Sequence, residues 1–197
     1  SDEGYRPRRI SLGKHSGTHI NAPSGFHDDG MSIGGFSALS LIATAIVMDT
    51  AERSARNADY LVTLEDVQVW EQQRGSVREG SIVLLYSDWQ EKWDTPHAFL
   101  NLDSNCAGRF PGFGMEAVRF LIAEHRVGGI GIDTHGVDGR QGQKFAVNRL
   151  IREKPRIVLE KLTNLDQLPP TGTTLAIGIL RLAGGTGSSA SMLVLVP

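Results

Sequence analysis

The apolar residues of this chain fall in short runs, and the order of those runs is what most constrains the fold. Residues 81–87, Ser-Ile-Val-Leu-Leu-Tyr-Ser, form an apolar run of strand length. Residues 43–49 predict a second buried strand, preceded by one or two helical turns over 38–42. The polar stretch 51–60 predicts a loop. Thr63, with Asp66 three positions on, has the spacing of a capping box, and the helix it opens runs to about Arg74 and stops at Gly75. Met115, Val118, Leu121 and Ile122 lie on one helical face, which predicts a helix over 115–125. A short strand follows over 128–132, ending at Asp133. A helix over 145–152, ended by Pro155, then leads into strand-like 157–159. Residues 173–182 and 191–196 read as a hairpin whose turn is the glycine-rich segment 183–188. Helices and strands alternate early and strands pair late, the pattern of an α/β fold with a mixed sheet.

Composition narrows the function. The 197 residues carry 20 Lys+Arg against 22 Asp+Glu, a formal net charge of −2. That balance leaves no electrostatic footprint for nucleic acid or for an anionic membrane. No apolar run approaches the roughly 20 residues of a membrane span. The N-terminal residues are polar and carry no signal-peptide pattern. Cys106 is the only cysteine, so no internal disulfide can form, and a lone thiol suits a reducing, cytoplasmic setting. The length suits a single domain over 1–197 with a core of its own.

Three of the six histidines, His15, His19 and His27, fall in one polar segment. Neutral imidazole is the commonest transition-metal ligand. Gly17, Thr18 and Pro23 argue against a helix here, so an extended segment is expected, with His15, His19 and Asn21 on one side. A polar surface loop is the alternative. A second cluster, Asp133-Thr134-His135-Gly136-Val137-Asp138, follows a strand, where α/β proteins place ligand-binding groups; turn capping is its alternative. Residues 89–114 are irregular, and loops of that length usually build a site or an interface. Gly30-Met31-Ser32-Ile33-Gly34 matches the G-x-S-x-G nucleophile pattern, but a loop rather than a strand precedes it. A serine hydrolase acting through Ser32 is the weaker reading.

The run His15-Ser-Gly-Thr-His19-Ile-Asn21-Ala-Pro23 resembles the H-x-G-T-H-x-D-x-P signature of the cyclase family of metal-dependent hydrolases, whose members include kynurenine formamidase and isatin hydrolase. The resemblance continues through Ser87-Asp88-Trp89, Phe110-Pro-Gly-Phe113, Gly131-Ile-Asp-Thr134, residues 159–169 and Gly184-Gly-Thr-Gly-Ser188. It implies a swivelling β/α/β domain around a barrel-like mixed sheet, generally homo-oligomeric. It also implies hydrolysis of an amide, lactam, lactone or ester bond in a small cyclic or aromatic substrate. A longer segment ahead of His15 is expected from it as well.

This chain departs from the signature at three positions. Asn21 replaces the signature Asp, Gly25-Phe26 replaces a His-Phe pair, and Asn148 replaces a later metal-binding His. A neutral amide is a weaker ligand than a carboxylate, so the resemblance implies one divalent ion, Zn or Mn, rather than two. Its ligands would be His15, His19 and Glu160, with Asn21 beside it. His27, two residues after the lost His, and His135 are the acid–base candidates. Trp89, Trp93, Phe113 and Asp133 are the expected substrate-binding residues; core packing is the alternative for the aromatics. The same three departures leave open a non-catalytic binding member of the fold.

Overall fold

The computed structural model describes residues 4, 6–139 and 143–197. Seven strands close into a barrel. In chain order these are β1 (His19–Asn21), β2 (Ile42–Asp49), β4 (Ile82–Tyr86), β6 (Gly129–Ile132), β7 (Ile157–Glu160), β8 (Thr173–Ile179) and β9 (Gly187–Leu195). Around the barrel they follow the order β1-β7-β6-β4-β2-β8-β9, while β3 (Leu61–Val62) and β5 (Gly112–Phe113) pair as a small separate ribbon. The pairs β2–β4, β4–β6 and β6–β7 are parallel; β1 runs antiparallel to both β7 and β9, and β8–β9 is an antiparallel hairpin. The mixed α/β sheet expected from the order of apolar runs is therefore present, and it is closed.

The strands that carry parallel pairing are apolar on both faces, because both faces are covered. Ala45, Val47, Ile82, Leu84, Ile157 and Leu159 turn into the barrel with Ile20, Leu175 and Ile177. Their neighbours Ile46, Met48, Val83, Leu85, Ile130, Ile132 and Val158 turn outward. Helices α2 (Leu64–Arg74), α4 (Met115–Ala123) and α5 (Ala146–Ile151) cover that outer face through Val67, Ala117, Val118, Leu121, Val147 and Ile151. Gly131 faces the interior, where a Cβ would stand 2.8 Å from Leu84 Cδ2 and 2.9 Å from Leu162 Cδ1, so the strand tolerates no side chain there.

The capping box of α2 forms as its spacing predicts: Thr63 Oγ1 accepts from the Asp66 amide, and Asp66 accepts from the Thr63 amide at 2.7 Å. Residues 51–60 differ from expectation, since Ala51–Arg56 is a short helix, α1. Asp49 accepts the Ala51 amide at 2.9 Å, and Glu52 pairs with Arg56 one turn on, so local polar bonds make the helix that the hydropathy pattern conceals. Within 89–114 the chain forms a short helix α3 (Pro96–Leu100) between irregular segments. The last strand begins at Gly187 rather than near 191, because its first residues pair with β1, a partner far away in sequence.

Candidate active site

The antiparallel register of β1 on β7 sets His19 directly opposite Glu160, and its register on β9 sets His19 opposite Ser189. Ile20 points into the barrel, so His19 and Asn21 point out of it. Glu160 ends β7, and His135 follows β6; these parallel strands deliver both residues to the same edge of the sheet. There His15, Asn21, His135, Asp138, Asn148, Arg152 and Glu160 line a cavity of about 350 Å³, with Phe26, Phe110 and Phe145 as its aromatic walls. A second, more apolar cavity of about 440 Å³ is lined by Leu84, Leu162, Leu175, Met192 and Val194 and contains none of the predicted site residues.

Glu160 is the hub. His19 Nε2 lies 3.0 Å from its Oε2, Asn21 Nδ2 donates to the same oxygen at 2.9 Å, and the Val137 amide donates to Oε1 at 3.2 Å. Burial alone would raise this carboxyl, but the His19 bond and charge, with the Asn21 and Val137 donors, outweigh burial and hold it below the usual range. His15 meets His19 edge-on, with ring centroids 5.2 Å apart. Burial, and then the neighbouring His19, lower its pKa, against an opposing bond from Asn21. Gly187 makes the approach possible: a Cβ there would fall 2.6 Å from His15 Cε1.

The tautomer of His19 bears on metal binding. Its Nδ1 lies 2.9 Å from the Gly17 carbonyl, which can only accept, so Nδ1 carries the proton. Nε2 then faces a carboxylate oxygen 3.0 Å away. Two lone pairs at that distance require a cation between them, either a proton or a metal ion. A backbone carbonyl orienting the far nitrogen is the usual support of a metal-binding imidazole. An imidazole and a carboxylate are both ligand types that a divalent cation accepts. Among the described residues no group of three or more His, Cys, Asp or Glu is placed so that it could hold a metal ion.

Around the hub runs a polar network. Asp138 accepts the Val147 amide at 2.7 Å and Asn148 Nδ2 at 2.7 Å; Arg152 Nη2 donates to Asn148 Oδ1 at 2.7 Å. Burial raises the Asp138 carboxyl, with the nearby Glu160 adding to the rise against the Asn148 and Val147 donors. Burial also lowers Arg152 to about 10, so it stays charged at neutral pH. His135 is lowered to about 4, first by burial and then by the Lys161 charge, so its ring is neutral at pH 7. Its Nδ1 is buried with no hydrogen-bond partner among the described residues.

The expected site residues divide sharply. His15, His19, Asn21, Glu160 and His135 come together. His27 does not: its Nε2 donates to the Arg149 carbonyl at 3.0 Å, and it does not line the cavity. Asp133 is fully buried and spends its carboxylate on the Ser87 hydroxyl at 2.6 Å and on the Ser87 and Trp89 amides, which fastens the chain leaving β4. Trp89 is buried with its indole N–H donated to the Phe99 carbonyl, and Phe113 belongs to the outer core. Trp93 is 51% exposed and packs on Phe99. None of these four is among the residues that line the cavity. Ser32 precedes a single 3-10 turn, Ile33–Gly35, rather than forming a strand-to-helix elbow. Sequence reasoning missed Arg152, and it named Asp138 only as the last member of the cluster after β6. Arg152 lies four residues after Asn148, the spacing that puts both on one helix face, and that was the available signal.

A closed mixed α/β barrel with buried His, Glu and Arg at one strand edge is the architecture of the isatin-hydrolase type of hydrolase. The Cyclase family model matches residues 2–139, and the chain belongs to that family. It is 33% identical over 195 residues to the isatin hydrolase of Roseibium aggregatum, covering 94% of this chain and 73% of that protein. The solved isatin hydrolase A of Ralstonia solanacearum superposes with a TM-score of 0.93 at 33% identity, over 99% of this chain and 77% of that one. An isatin hydrolase bound to the product analogue thioisatinate gives 0.88 at 32% identity, over 95% and 74%. This chain is an enzyme, a hydrolase of a small molecule, and among the described residues no helix is long and apolar enough to cross a membrane.

Proposed function

We propose that this cavity opens the cyclic amide of a small, flat, aromatic lactam of the isatin type, with one divalent ion, Zn or Mn, held by His15, His19 and Glu160. The observation that carries this reading is the placement of His19, with Nδ1 held by the Gly17 carbonyl and Nε2 3.0 Å from the Glu160 carboxylate. When bound, such an ion supplies Lewis-acid polarisation of the carbonyl and makes water more acidic. Asn21 orients the Glu160 carboxylate through its amide N–H. His135, neutral at working pH, takes the proton from the attacking water and returns it to the lactam nitrogen as the C–N bond breaks. The products are a carboxylate and an amine. Phe26, Phe110 and Phe145 hold the flat ring and keep water from its faces.

The experiment is hydrolysis of isatin followed by its absorbance, with elemental analysis of protein purified without chelators. One equivalent of metal and turnover lost on chelation, then restored by Mn or Zn, is the expected outcome. Full turnover in metal-stripped protein would falsify the mechanism. N-formylkynurenine serves as the competing acyclic amide. We place the protein in a reducing compartment as a homo-oligomer. Support for assembly comes from Ile42 on β2 and Leu193 and Leu195 on β9, exposed on the outer side of the two strands that flank β8.

A further inference from the structure

Arg152 is 4% exposed, yet all three of its hydrogen bonds among the described residues go to neutral oxygens. Nε donates to the Asn148 carbonyl at 3.2 Å, Nη1 to the Ala22 carbonyl at 3.1 Å, and Nη2 to Asn148 Oδ1 at 2.7 Å. No carboxylate among the described residues is in ion-pair contact with it. Asn148 stands between it and Asp138. Glu160 and Asp138 act on it only through space, a buried charge with no direct ion pair is costly to keep, and a guanidinium has five N–H donors. Here three are spent, and one remains on each terminal nitrogen, the pair that grips a carboxylate in a fork.

The approach to those donors is open for a specific reason. A Cβ on Gly25 would stand 2.9 Å from Arg152 Nη1, so the absence of a side chain at 25 is what leaves that nitrogen uncovered on this side. Gly25 and Arg152 both line the cavity. The Phe26 ring lies under the guanidinium, with the Arg152 carbon 4.2 Å from its centroid, and Phe145 lies beside Phe26 at 5.5 Å. A charged fork next to aromatic rings is a receptor for an aryl-linked carboxylate.

We infer that Arg152, uncovered by Gly25, is the carboxylate-binding group of the cavity and takes the acid of an aromatic, ring-opened product. The assignment deepens the lactam-hydrolase reading and rests on it for the origin of the acid. The three bonds that pin the guanidinium orient it before the ligand arrives, so the cost of ordering it falls on folding rather than on binding.

The test is calorimetric titration of the full chain, as purified, with phenylglyoxylate and with its neutral amide, phenylglyoxylamide. The parent protein should prefer the carboxylate by tenfold or more. Gly25→Ala, whose added methyl crowds Nη1, should lose at least tenfold in carboxylate affinity while the amide changes less than twofold. Arg152→Lys keeps the charge and loses the fork, so it should lose the preference as well; if it does not fold, Gly25→Ala decides alone. A carboxylate preference that persists in Gly25→Ala, or is absent from the parent protein, overturns the assignment. Isatin turnover is measured on the same samples: an inactive protein with the expected binding pattern sinks the lactam reading and leaves Arg152 in its role.

Discussion

Glu160 and His135 do different work because burial acts on them through opposite charges. Burial favours the neutral form of each, and only Glu160 has close donors to reverse that preference. Glu160→Gln keeps the shape and removes the charge; metal content and turnover should both fall, as read by elemental analysis and kcat. His135→Ala should cost about 10²–10⁴-fold in kcat with metal retained, the usual scale for an acid–base group. His27→Ala should leave kcat within a few-fold, because its ring is tied to the Arg149 carbonyl outside the cavity. His135 also makes stability depend on pH. Its folded pKa of about 4 lies below the ordinary 6.5, so between those values the unfolded chain binds more protons. Stability is therefore full above pH 6.5 and declines as pH falls toward 4, and His15, lowered in the same sense, adds to the decline. In metal-stripped protein, His135→Gln should flatten the drop in urea midpoint between pH 7 and pH 5. An unchanged drop would remove His135 as its source.

Among the elements, the three-residue strand β1 matters out of proportion to its length. It closes the barrel between β7 and β9, and its alternation decides which side chains reach the cavity. A slip of one residue would turn Ile20 toward the polar cavity and His19 into the apolar interior. Gly187→Ala should disturb this junction, since the added Cβ would press on both His15 Cε1 and the Ile20 carbonyl at 2.8 Å. Overpacking of that kind costs about 1–3 kcal/mol, and weaker metal retention should accompany the lower urea midpoint. Helix α2 offers a control far from the cavity. Thr63→Ala removes one side of its capping box and should cost about 1 kcal/mol of stability without changing kcat.

At the scale of the molecule, the barrel is covered by helices on the β4–β6–β7 side, whereas Ile42, Leu193 and Leu195 stay exposed on the β2–β8–β9 side. An apolar face of this kind on a closed sheet is a candidate for burial against a second copy. Light scattering at micromolar concentration should report an oligomer, and Leu193→Lys with Leu195→Lys should shift it toward the monomer. A monomer in the parent protein would count against assembly. Removal of the metal should lower the thermal midpoint, because an ion bound by the folded chain adds to its stability by mass action.

Local chemistry was readable along the chain. Strand-length apolar runs, the Thr63–Asp66 spacing and the amphipathic face of 115–125 each report forces acting within a dozen residues, and the corresponding elements form. The polar segment around His15 and His19 was likewise readable, because alternation puts His19 and Asn21 on one side of any extended strand. What a local reading could not reach was convergence. Whether His27 or His135 enters the cavity depends on where the chain turns after β1 and after β6, and those turns are set by packing between distant segments. Trp89, Phe113 and Asp133 have residue types equally suited to a site or a core, and only the neighbours that the barrel supplies show that all three are buried away from the cavity lining. Arg152 shows the same limit from the other side. Four residues past Asn148 it is an ordinary helix-end arginine; it becomes a buried cation with no direct ion pair among the described residues only because β1, β7 and α5 meet around it. Sequence determined the elements and their chemical inventory. Closure of the barrel decided which charges would share one small volume, since that depends on long-range pairing.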